Sequence, residues 1–206
     1  KKQGLYKIKG YVDQISVSKS FLGCSVYSER EIFDGVVSFS NAAVAIGDNF
    51  VRQRVSVKII NNFPNAKFPP LIDPTSIIAD SVVFGQGTVF MAGVIVNTFS
   101  QVGDFCVLNT GSILGHDCIM RNASSLGPSA TIGGTTRIGS LSHIGLGASV
   151  VNDIDIGKNV VLGAGGTAVS CLDDNALYLG VPAKLAKRRG EEDRRLSPAR
   201  QPDQGP

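Results

Sequence analysis

The sequence predicts a small α/β unit followed by a parallel β-solenoid, and the solenoid rests on three observations. Ile78 to Asp173 divides into sixteen consecutive six-residue blocks without a gap. The first residue of every block is apolar, from Ile78, Phe84 and Phe90 through Leu114 and Met120 to Leu162 and Ala168. The fifth is mostly small or β-branched, and the second is glycine in nine of the sixteen. A period of six fits neither a helix at 3.6 nor strand alternation at 2, and marks a repeat architecture.

Positions five and one of adjacent blocks lie two residues apart, so they share one face of a short strand. The residues between successive inward pairs turn a corner, where glycine is expected for its freedom in φ and ψ. Three strands make a triangular coil of eighteen residues. Coils then stack about 4.8 Å apart, each strand bonded to the one above and below.

The first 68 residues differ in kind. Tyr6 to Asp13 reads as a strand, and the apolar run Ala42 to Ile46 as a second strand leading into Gly47-Asp48-Asn49. Asn49 to Asn61 carries Phe50, Val51, Val55, Val57 and Ile59–Ile60 at helical spacing, with Asp48 or Asn49 as cap. Strand, turn and capped helix predict an incomplete Rossmann-like parallel sheet, whose ligands bind at the carboxyl ends of the strands. The opening residues read as the tail of a helix. A first strand and glycine-rich turn are expected ahead of it, and a chain that starts at Lys1 without them is expected to bind the nucleotide-sugar weakly.

Pro64, Pro69, Pro70 and Pro74 mark a rigid connector, because proline cannot donate to a ladder. The expected division is 1–68 for the α/β unit, 69–177 for the solenoid, 178–190 for a basic segment and 191–206 for a disordered tail. In the basic segment, Lys184, Lys187 and Arg188 are spaced to share one helical face. The tail is charged and nearly without apolar residues.

Composition narrows the function classes. Twenty basic residues against 17 acidic ones, a net charge of +3, do not describe a nucleic-acid surface. No apolar run reaches membrane-spanning length and no signal peptide is recognisable. Of the four cysteines, Cys106 and Cys118 fall at inward fifth positions, so all are read as reduced residues of a cytoplasmic protein. The chain has only two histidines, short of the three ligands a zinc-bearing β-helix requires.

His116 and Asp117 occupy the third and fourth positions of a block and are expected to point outward at a corner. An imidazole beside a carboxylate suits a general base. Gly134 lies eighteen residues on, one coil above, where its N–H is placed to meet an oxyanion. His143, one coil above Ser125, is expected at a surface or subunit interface.

Several motifs carry a resemblance: Gly10-Tyr-Val-Asp13, Ala45-Ile-Gly-Asp-Asn49 with Arg52, Leu108-Asn-Thr110, Gly115-His-Asp-Cys118, Gly127-Pro128, Gly133-Gly134 and Gly180-Val-Pro-Ala-Lys184. Over about Tyr6 to Lys187 the chain resembles the bacterial nucleotide-sugar acetyltransferases of the hexapeptide-repeat class. That family includes UDP-4-amino-sugar N-acetyltransferases, perosamine N-acetyltransferases and sialic acid O-acetyltransferases. The resemblance implies a left-handed β-helix, acetyl-CoA as co-substrate, no metal, and a homotrimer with active sites between subunits. It implies His116 as base, Asp117 as its partner and Gly134 as oxyanion donor. It assigns Ser125, Gly134, Leu146, Ala164 and Lys184 to acetyl-CoA, and Asp13, Gln14, Gly47 and Asn109 to the nucleotide-sugar. Ser125 stands where the family often has a second histidine, which weakens cofactor placement. The activity implied is N-acetylation of a nucleotide-linked 4-amino-4,6-dideoxy sugar for a surface glycan. Sugar O-acetylation and a non-catalytic trimeric scaffold are the alternatives.

Overall fold

The computed structural model describes residues 6–13, 19–190 and 193. Three short strands, β1 (Gly10–Val12), β2 (Ser20–Phe21) and β3 (Cys24–Tyr27), form the first sheet, in the order β1-β3-β2. β1 runs parallel to β3, whereas β2 and β3 form an antiparallel hairpin, so the sheet is mixed and not purely parallel. Helix α1 (Glu29–Phe33) follows, opened by a capping box between Ser28 and Glu31. Ala42 to Ile46 does not form the expected strand. It runs extended beside the solenoid, tied at the Asn41–Lys67 bridge and by Arg52 Nη1, which donates to Ile46 O at 2.9 Å, with Val44 and Ile46 packing into a cluster with Phe68 and Phe105.

Helix α2 (Asn49–Asn62) forms as predicted, and the Asp48 carboxylate accepts the Val51 N–H at 2.9 Å. Of the apolar stripe expected, Val55, Ile59 and Ile60 pack, partly buried, against Val44, Phe68 and Phe105, but the face buried deepest is polar. The enclosed residues are Asn49, Arg52 and Ser56, while Val57 is exposed. The polar face fits what it packs on. At the corner columns of the solenoid, Phe105, Ala123 and Leu141 are left-handed, and their carbonyls accept no ladder bond. Buried carbonyls need donors. Arg52, only 1% exposed, supplies them, with Nε to Phe105 O at 2.8 Å and Nη2 to Ala123 O at 3.1 Å. Asn49 Nδ2 donates to Leu141 O and Ser142 O, both at 3.0 Å.

From β4 (Leu71–Ile72) to β20 (Thr167–Ala168) the chain winds a left-handed parallel β-helix of two-residue strands. Partners on each face lie eighteen residues apart, as in Val107↔Ser125, Ile113↔Thr131 and Ile119↔Arg137. The repeat begins one block earlier than the sequence count, since Leu71 pairs with Val89. At its far end the spacing shrinks to sixteen, with Ile156↔Leu172 and Val161↔Leu177. The three faces are called here the first (through Leu108 and Leu126), the second (Leu114, Ile132) and the third (Met120, Ile138).

First-position side chains fill the axis: Leu108, Leu114, Met120, Leu126, Ile138 and Ile144 are all at most 1% exposed. Each such burial contributes about 1.5–3 kcal/mol of transfer free energy. Fifth-position hydroxyls bond across the corner to the carbonyl fifteen residues on, Ser100 to Gly115 O at 2.7 Å and Ser142 to Gly157 O at 2.6 Å. Cys106 and Cys118 do the same with sulfur, to Arg121 O at 3.3 Å and Gly133 O at 3.2 Å. Burial pushes both thiols above their ordinary range.

The glycines of position two have another role than the one expected. The left-handed residue of each corner is the fourth, held by Asp117, Thr135 and Asp153 among others. Second-position glycine instead permits close stacking, since a Cβ on Gly115 would stand 2.6 Å from Gly134 N.

The basic segment is corrected as well. Lys184–Arg188 is a strand, β22, antiparallel to β21 (Ala176–Leu179), and not a helix. β21 extends the first face and buries Ala176, Leu177 and Tyr178, and β22 pairs its open edge. Residues 191, 192 and 194–206, where the tail was expected, lie outside the described residues.

Candidate active site

The corner between the second and third faces carries the third-position column Thr98, His116, Gly134 and Asn152. His116 and Asp117 point outward, with side chains 60% and 52% exposed. His116 Nδ1 lies 2.8 Å from Asp117 Oδ2. A carboxylate only accepts, so in the neutral imidazole the ring proton sits on Nδ1 and Nε2 keeps its lone pair. Asp117 is held in place by its left-handed backbone (φ 56°) and by its N–H, which donates to Thr98 O at 2.9 Å.

The ring rises toward the next coil. A Cβ on Gly134 would stand 2.5 Å from His116 Nε2, so only glycine leaves room for the imidazole there. Gly134 N–H makes no hydrogen bond, whereas Thr135 N–H ties the coils through His116 O at 2.8 Å. A basic nitrogen on an exposed side chain and the unpaired N–H of the buried Gly134 therefore meet at one corner.

The remaining expected residues stand elsewhere. Asn109, Leu146 and Ala164 lie on the corner between the first and second faces. Leu146 is 58% exposed and accepts Gly165 N–H at 2.8 Å, and the N–H groups of Leu146 and Ala164 are unbonded. Asn109 Oδ1 accepts the Thr110 N–H at 2.8 Å. One chain thus places these residues and His116 on different corners, with the second face between them. Lys184 is exposed on β22.

Asp13 follows β1, exposed, with its N–H on Tyr27 O at 3.0 Å. Gly47 is exposed just before the cap of α2, and its carbonyl receives Arg52 Nη1 at 3.2 Å. Gln14 lies outside the described residues.

Ser125 departs from expectation. It is 4% exposed and its Oγ lies 2.8 Å from His143 Nδ1, so its hydroxyl is not offered to a ligand. His143 is likewise enclosed, at 5%, and is not a surface residue. It lines a narrow cleft with Asn49 and Phe50 of α2, and with Asn159, Val161 and Arg189. Sequence reasoning placed both residues in the right register but did not foresee that α2 packs beside His143. Among the described residues, no three His, Cys, Asp or Glu side chains are grouped to hold a metal, and no helix is long and apolar enough to cross a membrane.

The fold matches solved structures. PerB of Caulobacter crescentus, crystallised with CoA and GDP-perosamine, is 34% identical, with a TM-score of 0.77 over 82% of each chain. The chain belongs to the hexapeptide-repeat nucleotide-sugar acetyltransferases. A second member, the acetyltransferase domain of PglB from Neisseria gonorrhoeae with acetyl coenzyme A, is 30% identical with a TM-score of 0.79 over 84% of each chain. A serine acetyltransferase of Synechococcus elongatus is 26% identical over 119 residues, which is 54% of this chain and 41% of that protein. No family profile matches the sequence. Membership makes the chain an acyltransferase.

Proposed function

We propose that the chain transfers the acetyl group of acetyl-CoA to the amine of a nucleotide-linked 4-amino-4,6-dideoxy sugar, with His116 as general base. The observation that carries this is the pairing of a free Nε2, its tautomer fixed by Asp117, with the unbonded N–H of Gly134 one coil above. The sugar amine attacks the thioester carbonyl, and Nε2 takes the proton the amine loses. The carbonyl oxygen becomes an oxyanion and accepts from Gly134 N–H. Collapse breaks the C–S bond, and the departing CoA sulfur takes the proton back from the imidazolium.

Leu146 and Ala164 present unbonded N–H groups one coil apart, which suits the amides of a pantetheine arm. They stand on another corner than His116, and this supports a site shared between the corners of two copies in a homotrimer. Lys184 then meets the phosphates of CoA. The α/β unit, residues 1–68, holds the nucleotide through Asp13, Gln14 and Gly47, and Asn109 lies toward the sugar. The setting is cytoplasmic synthesis of a surface polysaccharide.

The test is an acetylation assay with acetyl-CoA and a panel of UDP-, TDP- and GDP-linked amino and hydroxy sugars, read by mass. Acetylation of a 4-amino sugar is expected. Turnover of hydroxy acceptors alone, or of none, would contradict the proposal.

A further inference from the structure

Phe99 occupies the fourth position of the coil directly below Asp117, on the same corner as His116. Its backbone is left-handed (φ 59°), a conformation that bulky side chains adopt at a cost. The residue is 67% exposed. The other aromatic residue at a fourth position, Phe105, has the same backbone (φ 53°) but is 6% exposed, edge-on to Phe68 at 5.1 Å under the α/β unit. Phe99 therefore carries the backbone cost without the burial that offsets it at Phe105. Its N–H is bonded to Ser81 Oγ at 2.9 Å, and the next residue, Ser100, is anchored in the axis, so the ring has a fixed origin.

The direction of the site says what meets this ring. The oxyanion donor Gly134 is one coil above the base, and in the homotrimer proposed above Leu146 and Ala164 of a neighbouring copy lie on still higher coils. Acetyl-CoA thus approaches His116 from the C-terminal side of the column, and the acceptor amine enters from below. Phe99 stands there, about one coil spacing of 4.8 Å beneath Asp117. The apolar part of a 4-amino-4,6-dideoxy sugar is its C6 methyl, next to the carbon that bears the amine.

We infer that Phe99 is a specificity-determining residue, the apolar floor of the acceptor subsite against the C6 methyl of a 6-deoxy sugar. The inference rests on the acetyl transfer proposed above. It makes the enzyme discriminate against a 6-hydroxy acceptor, whose polar group would lose water against the ring without gaining a partner.

The test compares wild type, Phe99→Asn and Phe99→Leu on the nucleotide-linked 4-amino-4,6-dideoxy sugar that wild type turns over fastest, and on its 6-hydroxy counterpart. Asparagine tolerates the left-handed backbone, so F99N keeps the coil. The expected result is an acceptor KM raised about tenfold in F99N, with the KM for acetyl-CoA unchanged and the preference for the deoxy sugar lost. F99L, which stays apolar, keeps most of that preference. An unchanged acceptor KM in F99N overturns the inference, as does a change in oligomer size by light scattering with acceptor KM unchanged, which would assign the ring to a second copy. If wild type acetylates no amino sugar, the functional proposal itself fails.

Discussion

Two corners of one β-helix, built on the same eighteen-residue repeat, have opposite fates. At the corner between the third and first faces, the fourth-position column Phe105, Ala123 and Leu141 is roofed by the α/β unit. Its carbonyls are taken by Arg52 and Asn49. At the corner between the second and third faces, the equivalent column Phe99, Asp117 and Thr135 is open. There the free groups are an imidazole nitrogen and a backbone N–H. The repeat supplies identical backbone at both. What distinguishes scaffold from chemistry is whether donors from outside the repeat satisfy the corner.

This difference can be broken from the covered side. Arg52→Ala leaves the carbonyls of Phe105 and Ala123 without a donor, and a loss of about 3–5 kcal/mol in urea unfolding is expected, with the α/β unit released first in limited proteolysis. Unchanged stability would show that the roof is not held by these bonds. On the open side, Gly134→Ala drives a Cβ into His116 Nε2, and kcat is expected to fall about 100-fold while the melting temperature holds. A fall in melting temperature of the size seen for R52A would mean that this corner is structural too. Asn49→Ala is the milder roof variant, expected to cost about 1–2 kcal/mol and to leave kcat alone.

The smallest effect concerns the axis between the corners. Cys106 and Cys118 are fully enclosed, while Cys171 is exposed. Burial raises the two inner thiols, so they stay protonated in the fold after the unfolded chain has begun to ionise. Their contribution is complete below the ordinary thiol value of 9.0 and is lost as pH rises through the higher folded value. Alkylation at mildly alkaline pH is expected to modify Cys171 and to spare Cys106 and Cys118. Native labelling of either inner thiol would contradict the enclosed axis.

The sequence made the solenoid legible because each coil repeats the same demand for an apolar first residue and a small fifth. It also put His116, Asp117 and Gly134 on one corner by counting alone. Residues governed by contacts outside the repeat were not legible in this way. Arg52 is buried in α2 because the surface it meets is made of carbonyls, which an apolar helical pattern does not reveal. Ser125 and His143 have outward positions in the count, and it takes Asn49 and Phe50 of α2 together with Arg189 beyond β22 to line the cleft over His143. Lys184 to Arg188 has helical spacing, yet the open edge beside Ala176 to Leu179 recruits it as a strand.

The central claim is that the open corner performs acetyl transfer. The most direct measurement is turnover by His116→Ala, together with calorimetric binding of acetyl-CoA. The account predicts acetyl-CoA binding like that of wild type and kcat lower by about 10²- to 10⁴-fold. Full turnover by the variant would contradict it.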